Sequence, residues 1–285
     1  MQVFDDTPCE LGEGAFWHPE RRSFLWFDIL GLRLHERSPD GRHEWEMPEL
    51  TSAMGWVGGN LMVLSSETGL TLFDLETGQR VLLAAIDAGN PVTRSNDGRA
   101  DPWGGFWHST MGKNAEKGAG GIWRWSRGEL RQLRAGLTIP NSICFDQGRR
   151  RAYFSDTEAQ KLWVWGLDDG GWPVGEPRVF IDLTADDLNP DGAVTDSDGR
   201  LWIAQWGAGR VACHDAEGRF ISAVAVGAKQ ASCPVFGGPD LTALMVTTAR
   251  EGMDDAALAA DPLAGCCFVG QARAKGLPPP RVVLS

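Results

Sequence analysis

Short apolar runs alternate with turn sequences along the whole chain. The turns are rich in Asp, Gly and Pro, as at residues 38–41 and 216–218, and such sequences favour tight β-hairpin turns. The six clearest apolar runs are residues 24–27, 61–64, 105–108, 152–155, 201–204 and 244–247. The pattern therefore predicts many short β-strands, with one short helix or excursion within residues 252–264.

These runs also recur at nearly constant spacing. From Leu25 to Met245 five intervals average 44 residues, which is the period of a four-stranded propeller blade. The sequence thus predicts an all-β fold: one six-bladed β-propeller over residues 1–285, with four antiparallel strands per blade. A β-sandwich would not explain six evenly spaced copies. We expect the ring to close by pairing of a strand near Val3 with residues 281–284.

Composition and charge narrow the classes of partner. The chain has 27 Lys and Arg against 38 Asp and Glu, a net charge of −11, which argues against nucleic acid. No apolar run approaches the length of a membrane span. The six cysteines lack metal-ligand spacing and are expected to be reduced and buried. Without a signal peptide at its start, the chain is expected to be cytoplasmic, as a monomer or weak oligomer.

Polar residues recur at one phase of the repeat, about a dozen positions before each apolar run. In a propeller the innermost strands begin around one axial funnel, so these residues are expected to converge there. By blade they are Glu13; Thr51 or Ser52; Arg94 and Asn96; Asn141; Asp191; and Ser232 or Cys233. Carboxylates gathered in one funnel repel each other unless something compensates their charge.

A divalent cation is the simplest compensation. Carboxylate and amide oxygens, without Cys or His ligands, suit Ca²⁺, Mg²⁺ or Mn²⁺, with Zn²⁺ and Fe²⁺ as further options. Three protein ligands would leave positions open for water and substrate, as in a catalytic metal site. The alternative interpretation is structural: Glu13, Asn141 and Asp191 could cap turn backbones, as Asx residues often do. The spacing alone leaves both open.

Several stretches of the sequence form a specific combination of motifs. They are Cys9-Glu10-Leu11-Gly12-Glu13-Gly14-Ala15-Phe16-Trp17, Arg94-Ser95-Asn96-Asp97-Gly98-Arg99-Ala100-Asp101-Pro102, Tyr153-Phe154-Ser155-Asp156-Thr157, Pro190-Asp191-Gly192-Ala193-Val194-Thr195-Asp196 and Phe236-Gly237-Gly238-Pro239-Asp240. Together they resemble the senescence marker protein/gluconolactonase/luciferin-regenerating enzyme family, which includes regucalcin. The resemblance runs nearly from end to end.

The resemblance implies a six-bladed propeller that opens sugar lactones with one axial divalent metal ion. It matches Glu13, Asn141 and Asp191 to the family's metal ligands, and Arg94 and Asn96 to its substrate-binding pair. Ser142 follows Asn141 where Gly is common in the family. His108 stands where the family often has a small residue, and we expect it to contact substrate. The lid loop of relatives cannot be aligned with residues 113–118.

The expected function is hydrolysis of a five- or six-carbon sugar lactone to its aldonic acid. The metal would act as Lewis acid and activate water. Arg94 would face the developing oxyanion, Asn96 would orient hydroxyls, and Asp191 would serve as base unless metal-bound hydroxide suffices. The alternatives are a regucalcin-like calcium-binding regulatory protein, a propeller esterase acting on non-sugar lactones, and a non-catalytic interaction scaffold.

Overall fold

The computed structural model describes residues 1–285, and nearly all of its regular structure is β-strand. The first three blades comprise strands β2 to β13. They are β2 (Gly12–His18), β3 (Ser23–Asp28), β4 (Arg33–Ser38) and β5 (Gly41–Glu46); β6 (Thr51–Gly58), β7 (Leu61–Ser66), β8 (Gly69–Asp74) and β9 (Arg80–Ala85); and β10 (Thr93–Ala100), β11 (Phe106–Gly112), β12 (Gly120–Ser126) and β13 (Glu129–Leu137).

The other three blades follow the same antiparallel order, except that the last takes its outer strand from the N-terminus. Their strands are β14 (Pro140–Asp146), β15 (Arg151–Asp156), β16 (Lys161–Leu167) and β17 (Pro173–Asp182); β18 (Asn189–Thr195), β19 (Leu201–Trp206), β20 (Arg210–His214) and β21 (Phe220–Ala225); and β22 (Ala231–Gly237), β23 (Ala243–Thr248), β24 (Cys267–Gln271) and β1 (Gln2–Asp5). The predicted six-bladed propeller with four antiparallel strands per blade is confirmed.

The ring closes through β1, as expected, but its partner differs from the prediction. Gln2 lies opposite Val269 and Val3 opposite Phe268, so β1 pairs with β24. Residues 281–284 instead cross to the second and third blades, where Val282 N–H donates to Trp56 O over 2.7 Å. The three prolines at 278–280 explain the error, because proline has no N–H to give to a strand ladder.

Apolar side chains fill the space between neighbouring blades. Trp26 and Trp107 are fully buried, and all six cysteines are buried, as predicted. The single α-helix, α1 (Asp255–Ala260), begins at Asp254, whose carboxylate accepts from Ala257 N–H; it lies within the segment where the sequence predicted a helix. A 3₁₀ turn spans Thr184–Asp186. None of the helices has the length and hydropathy of a membrane span.

Candidate active site

Each innermost strand is irregular near its beginning. The pairing register shifts after Glu13 in β2, after Ser95 in β10, after Asn141 in β14 and after Pro190 in β18. An extra residue in one strand bends it and re-aims the local side chains. The bulges therefore explain how residues from four separate blades come to face a single funnel.

The bulge of β14 contains Ser142, which stands where Gly is common in the family that the sequence resembles. This residue has φ +58°, in the left-handed region, which non-glycine residues adopt at a cost. Its hydroxyl donates to the Asp191 backbone carbonyl of the next blade and accepts from Ser155 Oγ at 2.9 Å. The serine thus links two blades directly beneath the site, a bond that glycine could not make.

A polar cavity of about 390 Å³ opens at this end of the propeller axis. The five residues that the sequence singled out as metal ligands or substrate-binding pair all line it: Glu13, Arg94, Asn96, Asn141 and Asp191. The structure therefore brings together the whole of that predicted set. Residues 113–115 also line the cavity; they belong to the segment that could not be aligned with the lid loop of relatives.

Two carboxyls, Glu13 and Asp191, dominate the electrostatics of this cavity. Burial raises the pKa of Glu13 to about 8, and repulsion from the Asp97 carboxyl adds to the shift. Burial likewise raises the pKa of Asp191 well above its usual range, helped by repulsion from Glu13. Neither has an ion-pair partner within 4.0 Å. A positive charge placed between them would lower both pKa values.

Arg94 is the cation of the cavity, and it too has no carboxylate within 4.0 Å. Its Nη1 donates to Ser95 O at 2.8 Å and to Asn96 Oδ1 at 2.9 Å. Burial lowers the pKa of the guanidinium, and the negative charges of Glu251 and the two site carboxyls oppose that shift. The remaining donors of this planar group are free for a ligand.

Asn96 connects Arg94 to Asn141. Both hydrogens of its amide are engaged, with Pro140 O at 2.9 Å and with Asn141 Oδ1 at 3.0 Å. The expected donor to a substrate hydroxyl is therefore already used within the protein, and Asn96 has only acceptor capacity to spare. Asn141 Nδ2 in turn donates to Thr157 Oγ1 at 2.9 Å, so the amide plane of Asn141 is fixed from both sides.

The residues at this site fit a divalent cation. Glu13 Oε2 accepts from Gly14 N–H at 3.0 Å and its other oxygen has no partner in the protein. Asn141 Oδ1 accepts one hydrogen bond and retains a second lone pair. Two repelling carboxyls and one fixed amide oxygen form an all-oxygen donor set that suits hard cations.

His108 does not reach the cavity. The structure places it on β11, fully buried, with Nδ1 2.7 Å from Ser65 Oγ. Burial lowers its pKa to about 3, so the ring is neutral and serves packing. His108 lies in the middle of β11, opposite Gly98 of β10, whereas Met111 near the end of the same strand lines the cavity.

Three hydroxyl residues of the predicted phase lie beneath the cavity instead of lining it. Ser52 Oγ donates to Ser95 Oγ at 2.9 Å, and Ser232 Oγ donates to Gly12 O at 2.5 Å. Thr51 is buried at the start of β6 and donates to Glu49 O. The two serine contacts join the innermost strands of adjacent blades and the Thr51 contact is local, so this part of the phase pattern belongs to the scaffold.

A known protein family matches most of this chain. The model of the SMP-30/Gluconolactonase/LRE-like region matches residues 11–250. The chain belongs to this family. That result confirms the resemblance carried by the sequence motifs.

Individual relatives in the SMP-30/Gluconolactonase/LRE-like family include named lactonases. L-arabinolactonase of Azospirillum brasilense is 36% identical over 280 residues, covering 95% of this chain and 92% of that protein. The 6-deoxy-6-sulfogluconolactonase of Pseudomonas putida is 32% identical over 278 residues, covering 96% and 95%. The crystal structure of a calcium-binding protein, regucalcin, from Agrobacterium tumefaciens is 39% identical, with a TM-score of 0.97 over 99% of this chain and 97% of that one.

Sequence reasoning missed two features of this family member's cavity. Glu251, in the turn after β23, lines the cavity but lies outside the repeating phase, so spacing could not reveal it. Glu158 lies in the turn after β15, the second strand of the fourth blade, and it lines the cavity as well. Trp206 also lines this cavity, whereas Trp17 and Trp103 line a different one.

Proposed function

We propose that this protein hydrolyses a sugar lactone of five or six carbons to the aldonic acid and that a divalent metal ion is required. The observation that carries the proposal is the convergence of three oxygen donors and an unpaired arginine in one polar cavity. The named activities of the two lactonase relatives support the substrate class. Their different substrates leave the choice of sugar to the loops at the cavity mouth.

The metal ion would be held by Glu13 on β2, Asn141 on β14 and Asp191 on β18. When bound, a divalent ion supplies a Lewis acid for the lactone carbonyl and lowers the pKa of water. The cavity lacks enough basic groups to balance its four lining carboxyls, since its two basic residues are Arg94 and Lys113, and Lys113 is paired with Glu67. A bound cation would therefore balance the excess negative charge of the cavity, and the same cavity offers ligands for it.

Arg94 binds the oxygen atoms of the substrate on which negative charge grows. When water adds to the lactone carbonyl carbon, the carbonyl oxygen becomes an oxyanion, and preorganised donors stabilise that charge more than the neutral ground state. Two hydrogen bonds to Ser95 O and Asn96 Oδ1 hold the guanidinium in place. Asn96 is a positioning residue in this scheme, because it orients both Arg94 and Asn141.

Asp191 takes the proton from the attacking water in this proposal. Its raised pKa makes it a better proton acceptor than an exposed aspartate, although service as a ligand reduces that basicity. The new bond joins the water oxygen to the carbonyl carbon, and the bond from that carbon to the ring oxygen breaks. The proton then passes to the ring oxygen, which leaves as a hydroxyl of the open aldonic acid.

A calcium-binding regulatory protein is the second candidate. The all-oxygen donor set suits Ca²⁺, and the structurally similar regucalcin is named as calcium-binding. The two candidates differ in whether the unpaired Arg94 serves a reaction. Only the lactonase proposal requires a free arginine beside the metal ligands.

The test is acid release from a panel of aldonolactones, with gluconolactone and arabinonolactone as the first two and an acyl-homoserine lactone as the non-sugar control. Each is measured before chelation, after chelation, and after add-back of Ca²⁺, Mg²⁺, Mn²⁺ or Zn²⁺. We expect hydrolysis of sugar lactones that disappears with the metal and returns with it. No turnover on any lactone by protein that still binds the metal tightly would reject the lactonase and favour the regulatory candidate.

A further inference from the structure

A second cavity, larger than the first, lies at the opposite end of the propeller axis. Its volume is about 650 Å³, within the range of about 300–1,000 Å³ typical of small-molecule sites. The metal-ligand candidates come from the beginnings of the innermost strands. This lower chamber is lined by residues at or beyond the ends of the same strands, such as Trp17, Phe145 and Thr195.

The walls of the lower chamber are largely apolar. Its aromatic and aliphatic lining consists chiefly of Phe16, Trp17, Met54, Trp103, Phe145 and Phe236. Few polar side chains lie among them, and the hydroxyl of Thr195 is already used, donating to Phe145 O at 2.7 Å. A hydroxyl-rich ligand such as a sugar would lose its hydrogen bonds to water here without replacement.

The C-terminal strap, defined as residues 275–283, covers the chamber. At one end Ser197 N–H donates to Lys275 O at 2.8 Å and Gly276 N–H donates to Leu241 O at 2.7 Å. At the other, Val282 and Val283 N–H groups donate to the second and third blades. Residues 277–281 between these anchors line the chamber. The cavity is therefore partly covered by the protein's own chain and keeps an opening to solvent.

Two arginines line the chamber: Arg281 pairs with Glu20 at 3.4 Å, and Arg99 is fixed among the apolar walls. Arg99 Nε donates to Ile143 O at 2.9 Å and its Nη2 donates to Ala193 O at 3.0 Å, which holds the guanidinium across three blades. Its Nη1 has no acceptor in the protein and no carboxylate lies within 4.0 Å of the group. The Asp97 carboxylate accepts the backbone N–H groups of Gly98 and Ile143 instead.

We propose that the lower chamber binds an amphipathic organic anion, a carboxylate that carries an apolar chain or ring. The carboxylate meets the free donors of Arg99, since arginine recognises carboxylates through paired, charge-assisted hydrogen bonds. The apolar part lies against the aromatic walls beneath the strap. This site is separate from the proposed lactone site and does not depend on the proposed function.

Binding is tested by calorimetric titration of the protein as purified with butanoate, hexanoate and octanoate, and with octan-1-ol as the uncharged analogue. We expect one octanoate per chain. Affinity should rise about fourfold for each buried methylene, the ratio that corresponds to about 0.8 kcal/mol at 25 °C. The alcohol should bind at least tenfold more weakly than octanoate. Absence of octanoate binding would overturn the proposal.

Gln147 provides a pair of variants that leave the fold intact. It lines the chamber but is exposed, so substitutions there do not disturb the core. Gln147→Glu should weaken octanoate binding several-fold and Gln147→Lys should strengthen it, with octan-1-ol binding unchanged in both. Arg99→Gln should weaken octanoate at least tenfold. If substitutions at Gln147 and at Arg99 both left the octanoate affinity unchanged, octanoate would bind elsewhere and the proposal would be overturned.

The cavity that contains Glu13, Asn141 and Asp191 must be excluded as the octanoate site, because a carboxylate can also bind a metal ion. Lactone hydrolysis, or tight metal binding if no lactone is turned over, is measured with increasing octanoate. We expect no competition at concentrations that saturate the lower chamber. Competition with an inhibition constant equal to the dissociation constant would place octanoate at the metal and overturn the proposal.

Discussion

Arg94 is buried next to acidic groups, yet it forms no ion pair. We expect Arg94→Ala to reduce kcat/KM for the lactone by about 10²–10³-fold, the usual effect of removing an oxyanion donor. Arg94→Lys should recover only part of this, because lysine lacks the planar fork. The measurement is steady-state hydrolysis together with metal content per chain. Arg94 is not a ligand, so metal content should be unchanged; its loss would mean that Arg94 supports the ligand shell.

Glu13 governs how the metal-free protein responds to pH. Its pKa in the fold is about 8, above the value of about 4.3 expected when unfolded, so the folded state binds the extra proton between these values. Stability of the metal-free protein should therefore fall as pH rises through that window. Glu13→Gln removes the penalty, so the variant should melt several degrees higher than the wild type at pH 8.5 in chelator, while losing metal binding and activity.

Thermal unfolding followed by circular dichroism at pH 5.5 and pH 8.5 measures this difference. Glu10→Gln is the matched control, because Glu10 is an exposed neighbour in the same motif and should leave the melting temperature unchanged at both values. Equal melting temperatures for Glu13→Gln and wild type at pH 8.5 would contradict the account of the site charges.

At the residue scale, the sequence could predict that the charged and amide side chains of the repeat reach the funnel, but it could not predict that the hydroxyl side chains of the same phase lie beneath it, or which atoms are free. Glu13, Asn141 and Asp191 lie at one phase of a regular repeat, and regular repeats fold alike. The hydrogen bonds that occupy the Asn96 amide depend on contacts between blades three and four. Similarly, His108 is excluded from the cavity because it lies in the middle of β11, away from the end of the strand where Met111 lines it, and composition does not reveal this.

The bulge in β2 is the element that aims Glu13, and it depends on Gly14. This glycine has φ +59°, and an added Cβ would collide with Ser52 O and lie 2.9 Å from the Phe27 ring. Gly14→Ala should therefore cost about 3 kcal/mol or more, through backbone strain and displaced packing. Because the bulge must shift, hydrolytic activity should fall at least tenfold as well.

Gly59→Ala is the control for that element. Gly59 has φ +53°, but nothing lies within 4 Å of an added Cβ, so only the left-handed backbone cost of about 1 kcal/mol applies. Urea unfolding midpoints and lactone hydrolysis measure both variants. If Gly59→Ala lost as much stability and activity as Gly14→Ala, the contact with Ser52 would not be what fixes the bulge.

Strand positions were predictable because each apolar run has enough β-branched and aromatic residues to bury one blade face. The bulges were not predictable, because a bulge adds residues without changing the alternation on either side of it. Glu13, Asn141 and Asp191 nevertheless converge as their common phase in the repeat predicted, since the register shifts occur near the same point in the innermost strands. Glu251 and Glu158 escaped this prediction because they follow the second strands of their blades, β23 and β15, whereas the phase considered was that of the positions before each apolar run.

At the scale of the whole molecule, the number of blades followed from spacing, whereas the closure of the ring did not. Any strand near either terminus could supply the missing edge of the sixth blade. The prolines at 278–280 disfavour strand pairing there, and β24 offers a regular partner to Gln2 and Val3. The C-terminal segment then lies across the lower end of the axis, a position that hydrophobic periodicity does not encode.

Asp5 joins the closing strand to the first blade and so tests the closure itself. Its fully buried carboxylate lies 3.0 Å from Arg37 Nη1 and 3.3 Å from Arg42 Nε. Burial alone would raise its pKa, but the Thr7 backbone N–H and these arginines outweigh burial and lower it. The stabilisation is therefore present above the unfolded pKa and is lost as the pH falls through the folded value.

Asp5→Asn should destabilise the protein by about 1–3 kcal/mol at pH 7, since it leaves two arginines without their partner while both remain partly exposed. Asp6→Asn, an exposed neighbour, should have no measurable effect. The difference between the two urea midpoints should shrink as the pH is lowered through the depressed folded-state pKa of Asp5, where its carboxylate becomes protonated in the wild type. A difference that stayed constant with pH would mean that Asp5 closes the ring through shape and hydrogen bonding, without a contribution from its charge.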